Sequence, residues 1–193
     1  GLTIQFIGAV FMIYLGLGTA TSVRVAESFG RKDARGIADA SRLGIVATLI
    51  TGGVLSIVLY LLRQPLAEIG LDASDAQSAA SHLVPLLAGT IALGAVVSIY
   101  DGLQAVAAMA LRAREIVWAP TLVHIGSFVG IMLPLAWHAA MPGGWNMGVW
   151  GVMLGIAVAL GVAGIGQVIL LEWTLRRRSG APPAGRSTAS AGA

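Results

Sequence analysis

Residues 83–111, LVPLLAGTIALGAVVSIYDGLQAVAAMAL, form an apolar run whose one charged side chain is Asp101. About 20 apolar residues cross a bilayer as a helix, so this stretch reads as a membrane span with a carboxylate inside it. No Lys or Arg lies nearby in sequence to neutralise that carboxylate; Arg112 follows eleven residues later. A lone charge at such depth costs at least ~2.5–3.5 kcal/mol on insertion scales. The run sets two expectations: this chain is built for lipid, and Asp101 has an internal partner or a job.

Working outward, the composition repeats the first message. Hydrophobic residues are 56% of the 193 and charged residues 11%, against about 25% charged in ordinary soluble domains. Gly1–Val23 holds no ionisable side chain except Tyr14, and Leu43–Leu62 is uncharged between Arg42 and Arg63. From Ile116 to Leu171 there is no Asp, Glu, Lys or Arg, and Pro142-Gly143-Gly144 divides that stretch in two. The reading is an all-α polytopic membrane protein. Residues 1–175 form a helix bundle with spans at about 2–24, 43–62, 83–111, 116–138 and 147–171.

A net charge of +3 invites a nucleic-acid reading, but the positions of the charges refuse it. Arg24, Arg31, Lys32, Arg35 and Arg42 follow the first span, Arg112 and Arg114 the third, and Arg176, Arg177, Arg178 and Arg186 the fifth. Only Arg63 falls on the other side. Such segregation is the positive-inside pattern, so that face and the C-terminus are expected to be cytoplasmic. Anionic headgroups of the membrane lipids reinforce the placement, and no nucleic-acid partner is expected.

Cysteine is absent, which removes disulfides and thiolate metal sites. No signal peptide is recognisable at the start. An odd span count with an external, span-adjacent N-terminus predicts a fragment lacking at least one upstream helix. Asp33 is placed to cap the helix that continues into the second span. Gln64–His82 reads as an external connection in which Ser74 starts a short amphipathic turn, and Arg112–Glu115 as a tight cytoplasmic turn. Residues 176–193 form the cytoplasmic tail, too poor in large apolar side chains beyond the arginines to fold.

Gly126 with Gly130, and Gly151 with Gly155, have the GxxxG spacing that lets helix backbones approach in lipid. Packing within one bundle is preferred over a dimer interface. Pro120 and Pro134 are expected to kink the fourth span.

Depth counting sharpens the site. Asp101 lies eleven residues before Arg112, His124 ten after Arg114 and Gln167 nine before Arg176, with Gln104 one turn from Asp101. At 1.5 Å per residue these four share one layer ~12–17 Å from the cytoplasmic face. A mid-membrane layer of carboxylate, imidazole and two amides suits a proton or cation site in a polar cavity. For His124 or Gln167 alone, hydrogen bonding between helices is the plainer reading; for Asp101 the functional one is preferred.

These residues carry a family resemblance. Ser22-Val23-Arg24-Val25-Ala26-Glu27-Ser28-Phe29-Gly30, with Asp33 and Gly36, resembles the helix-ending signature of multidrug and toxic compound extrusion (MATE) transporters. Asp101-Gly102-Leu103-Gln104, with Leu111-Arg112 and Pro120, is similar to their tenth helix and the turn after it. Leu133-Pro134-Leu135 and Gly148-Val149-Trp150-Gly151 are similar to the eleventh helix and the entry to the twelfth. The resemblance covers nearly all of residues 1–175. It implies part of a twelve-helix, two-lobe transporter, helices eight to twelve of its C-terminal lobe, with the N-terminal lobe of the same polypeptide as the missing partner. It implies export of small organic, often cationic, compounds in exchange for Na+ or H+, from a bacterial inner membrane and with no cofactor. Asp101 matches the tenth-helix carboxylate implicated in cation binding; Gln104, His124 and Gln167 line the cavity layer. Two departures stand out: an aromatic often found one turn before the carboxylate is Val97, and the usual Gly after the arginine is Ala113.

Two other functions compete. A lipid-linked oligosaccharide flippase of the same superfamily would favour basic residues in its cavity, and these spans hold none. An intramembrane enzyme needs paired acids or a nucleophile constellation, and neither HExxH nor GxSxG occurs.

Overall fold

The computed structural model describes residues 2–72, 80–141 and 143–179. They form α1 (Leu2–Gly30), α2 (Ala34–Leu61), α3 (Arg63–Asp72), α4 (Ala80–Arg112), α5 (Trp118–Ile125), α6 (Leu133–Ala140) and α7 (Val149–Ser179). A π-helical stretch, Gly126–Met132, joins α5 to α6, making one continuous rod from Trp118 to Ala140. Among the described residues that rod, α2, Leu87–Arg112 of α4 and Val149–Arg177 of α7 are long and apolar enough to cross a membrane. The long helix α1 packs beside α2 and α4.

The turns close for local chemical reasons. Between the first two spans the chain makes a hairpin, because α1 runs to Gly30 and α2 begins at Ala34. Lys32 takes the left-handed conformation, φ 55°. Its N–H bonds the Phe29 carbonyl at 3.0 Å and the Asp33 N–H bonds that of Ser28 at 3.0 Å. This pair of bonds satisfies the last carbonyls of α1. Asp33 then caps α2 as expected, accepting from the Gly36 N–H at 3.0 Å. Arg112–Glu115 repeats the arrangement: Glu115 has φ 64°, and the N–H groups of Glu115 and Ile116 bond the carbonyls of Arg112 and Leu111.

Other connections gain detail. Gln64–His82, read as a connection, begins with the short helix α3 (Arg63–Asp72), and the turn expected at Ser74 lies outside the described residues. The tail was placed from 176, yet α7 carries Arg176–Ser179 as helix. Residues 180–193 of that tail lie outside the described residues. Both prolines of the fourth span stand where the helix accommodates them. Pro120 stands in the first turn of α5, where its missing N–H has no intrahelical partner to lose. Pro134 follows the π stretch, where the Leu133 N–H reaches back to the Phe128 carbonyl. Proline lacks the donor and crowds the carbonyl four residues back, and a widened turn relieves both.

Burial is inverted relative to a protein built for water. α2 buries Ser41, Gly44, Thr48 and Gly52 while exposing Leu43, Val46, Ile50, Val54, Ile57 and Leu61. Lipid tails are as apolar as leucine, so close backbone packing rather than apolar transfer holds such helices together. Glycines mark the crossings. A Cβ on Gly155 would stand 2.8 Å from the Ala136 Cβ of α6, and one on Gly164 would stand 2.7 Å from the Tyr100 carbonyl oxygen of α4. The Gly151–Gly155 pair therefore packs inside the bundle as expected, whereas Gly126 and Gly130 have nothing within 4 Å. At the arginine-rich end, Val25, Ile37, Ala107, Ala110, Leu111, Leu171 and Leu175 form an apolar core tying α1, α2, α4 and α7 together.

Candidate functional site

α4 is the axis of the site because α1, α2, α3 and α7 all pack against it. Asp101 lies about halfway along its span and is partly buried. Among the described residues it makes no hydrogen bond or ion pair, but it is electrostatically coupled to His124 of α5 and to Tyr14 of α1. Residue 102 must be glycine-sized here. A Cβ would sit 2.5 Å from two carbons of the Tyr14 ring and 3.0 Å from Thr48 Cγ2. That missing side chain lets α1 press its tyrosine against α4 beside the carboxylate.

Gln104, one turn on, is buried, and its amide nitrogen lies 2.6 Å from His124 Nδ1. The imidazole stacks on Phe128, ring centres 4.5 Å apart and 23° from parallel. His124 is exposed on the flank of α5, so this edge of the cluster opens outward. Gln167 reaches across the α5–α7 seam and donates to the Pro120 carbonyl at 3.4 Å. The carbonyl oxygens of both glutamines are buried without a hydrogen-bond partner.

The layer expected from depth counting thus divides. Gln104 of α4 meets His124 of α5, with Asp101 one turn earlier on α4, whereas Gln167 bonds the backbone of α5. The arrangement offers one carboxylate and orphaned amide oxygens, hard donors able to hold a small cation, and beside them an imidazole. Among the described residues no three His, Cys, Asp or Glu side chains cluster as a metal site.

Two residues of consequence were not singled out from sequence. Tyr14 is 1% exposed, with its hydroxyl 3.5 Å from Ser98 Oγ. Its signal was there: it is the only ionisable side chain in the apolar run Gly1–Val23. Arg114 was counted as a topology charge, yet it is 1% exposed and donates to the Thr174 hydroxyl at 2.9 Å and the Thr174 carbonyl at 3.3 Å. Nothing in an Arg-x-Arg turn distinguishes the buried arginine from its solvated neighbour.

Fold and site together define a membrane-spanning helical bundle with a polar cluster about halfway along its spans. The sequence model of the MatE family matches residues 1–138, and the chain belongs to that family. It is 34% identical over 172 residues to a Caulobacter vibrioides protein named "Probable multidrug resistance protein NorM", covering 87% of this chain and 34% of that one. A Pseudomonas aeruginosa protein of the same name is 32% identical, with 98% of this chain and 38% of the relative covered. The fold matches the crystal structure of the eukaryotic MATE transporter AtDTX14 with a TM-score of 0.73 at 19% identity, over 89% of this chain and 38% of that one. The chain spans about a third of the length of the curated relatives it matches. It is an integral inner-membrane fragment of a multidrug transporter family.

Proposed function

We propose that this chain supplies the last five helices of a secondary antiporter that exports organic, often cationic, compounds in exchange for Na+ or H+. The observation that carries this reading is Asp101: a partly buried carboxylate in the middle of a spanning helix, without an ion-pair partner among the described residues. A carboxylate in that setting takes up a proton or a desolvated cation, and either ligand neutralises it. Neutralisation favours whichever conformation closes around an uncharged site, which links ion binding to the position of the lobe. Tyr14 packs on the adjacent Gly102, Gln104 lies one turn along α4, and the buried amide oxygens add neutral donors. The N-terminal lobe of the same polypeptide would complete the cleft, and the arginine-rich ends of the helices, with the C-terminus, would face the cytoplasm.

The test is Asp101→Asn in a twelve-helix transporter that contains this chain, reconstituted in proteoliposomes under an imposed Na+ or H+ gradient. Asn keeps the size and the hydrogen-bonding capacity but cannot change charge. Ion-driven efflux should be lost while membrane insertion stays near normal. Unimpaired gradient-dependent efflux would show Asp101 to be structural.

A further inference from the structure

We infer that the groove between α1 and α2 at the arginine-rich end binds a zwitterionic phospholipid, one whose headgroup carries a phosphate and a primary ammonium. The site goes beyond the transport reading and shares no residue with the Asp101 cluster. The groove holds a cavity of about 340 Å³ lined by Arg24, Glu27, Ser28 and Arg31 of α1 and by Asp39 and Leu43 of α2, among others. That volume falls within the range of small-ligand sites, about 300–1,000 Å³. The four α1 residues recur at i, i+3, i+4 and i+7, so they share one helix face.

The charges of the lining balance, two guanidinium groups against two carboxylates. Arg31 and Glu27 engage each other as an ion pair. Arg24 and Asp39 remain: among the described residues neither side chain makes a hydrogen bond or an ion pair. Arg42, to which Asp39 is electrostatically coupled, is held by two bonds to Glu172. The helix register brings the two unpaired charges to one level. A Cβ on Gly36 would stand 2.9 Å from Ser28 Oγ, and one on Gly44 would collide with the Thr21 side chain. Between those crossings the antiparallel hairpin sets Arg24 opposite Ala40, next to Asp39. A bare anion would satisfy Arg24 and be repelled by Asp39, and a lone cation the reverse. A phosphate joined to an ammonium by a short spacer answers both: the guanidinium takes phosphate oxygens and the carboxylate takes N–H donors. A primary ammonium has those donors and a quaternary one has none.

Depth makes the occupant a lipid rather than a free phosphoamine. Leu43 closes the inner end of the cavity and opens the uncharged run Leu43–Leu62. Four residues of helix, ~6 Å, separate it from Asp39. Leu43, Val46 and Ile50 then continue down α2 as an exposed apolar stripe, a surface for acyl chains directly beneath the charged groups. On α7 at this same end Trp173 lies under the Arg177 guanidinium, the kind of aromatic that collects at the headgroup layer.

The experiment is native mass spectrometry of a twelve-helix transporter that contains this chain, released from bilayers of phosphatidylethanolamine, phosphatidylglycerol and phosphatidylcholine in equal parts with the same acyl chains. Retained lipid should be enriched in phosphatidylethanolamine over the other two. Arg24→Gln removes the phosphate partner and should cut that retention about fivefold, the effect of one basic residue at a membrane surface. Asp39→Asn removes the ammonium partner and should erase the preference over phosphatidylcholine while raising phosphatidylglycerol. Both side chains are exposed, so neither change disturbs the packing of the bundle. Arg35→Gln, exposed at the same end but outside the cavity lining, should retain lipid as the wild type does. Glycerophosphoethanolamine, the same headgroup without acyl chains, should fail to displace the lipid. Retention that favours phosphatidylglycerol, that is equal for the three lipids, or that is unchanged in Arg24→Gln and Asp39→Asn overturns the proposal. So does an equal loss in Arg35→Gln, which would reduce the effect to general surface charge, or displacement by glycerophosphoethanolamine. The lipid count needs no efflux, so it stands or falls apart from the role of Asp101.

Discussion

At the scale of single residues, Gly102 holds the most leverage next to Asp101. The space its Cβ would need is filled by the Tyr14 ring and a Thr48 methyl. Those neighbours sit on two different helices, and the ring is fully buried, so neither can simply swing away. Overpacking of this kind costs about 1–3 kcal/mol. Gly102→Ala should therefore lower the thermal unfolding midpoint of the bundle and displace Tyr14 from Ser98, read as a change in tyrosine fluorescence. Gly16→Ala, where nothing lies within 4 Å, is the control that should leave both unchanged. Asp101, Gln104 and His124 could be picked out from sequence because polar residues are scarce in these spans and depth can be counted. Tyr14 and Arg114 could not be assigned partners, since those partners lie 84 and 60 residues away.

At the scale of elements, the helices themselves were visible in the apolar runs, and the ends were not. Run length reports where hydrocarbon ends, whereas helices end where their carbonyls find partners. α1 and α2 continue past the apolar runs until Lys32 and Asp33 close the hairpin. The π stretch was also hidden, because proline signals trouble in the ladder but not which remedy the helix takes. GxxxG spacing was equally ambiguous: one pair packs and the other faces open space. That contrast is testable. Gly155→Leu should separate α6 from α7 and reduce the yield of folded protein, because its Cβ already meets Ala136 at 2.8 Å. Gly130→Leu should be tolerated inside this bundle, on the order of ±0.5 kcal/mol, as for an uncrowded surface position. Equal loss of folded protein in both variants would mean that Gly130 packs against something beyond these helices. The Arg42–Glu172 pair adds a long-range tie between α2 and α7, both of its bonds at 2.9 Å. It is solvent-exposed and should weaken as salt is raised.

At the scale of the whole molecule, aromatic and basic side chains gather toward both ends of the spans. Trp118 and Trp137 are the most exposed tryptophans of the fourth span. Nineteen residues of helix separate them, about 28 Å, close to the ~30 Å thickness of a bilayer core. Trp118 follows Arg112 and Arg114, and at that same end Trp173 lies under the Arg177 guanidinium, 3.8 Å from its centre. At the opposite end Arg63 sits 4.0 Å over Tyr60. Tryptophan and tyrosine collect at membrane interfaces, so these pairs fit the two headgroup layers. Eleven of the twelve basic residues follow the odd-numbered spans, the pattern on which the proposed cytoplasmic side rests. The chain has no native cysteine, so single replacements report cleanly. In intact cells expressing a transporter that contains this chain, Lys32→Cys should resist an impermeant thiol reagent and Gln64→Cys should label. Both positions are exposed, so shielding at one of them reports the membrane rather than burial. After permeabilisation both should react. Labelling of Lys32→Cys in intact cells, with Gln64→Cys shielded, would invert the proposed orientation and place the Asp101 layer nearer the outer face.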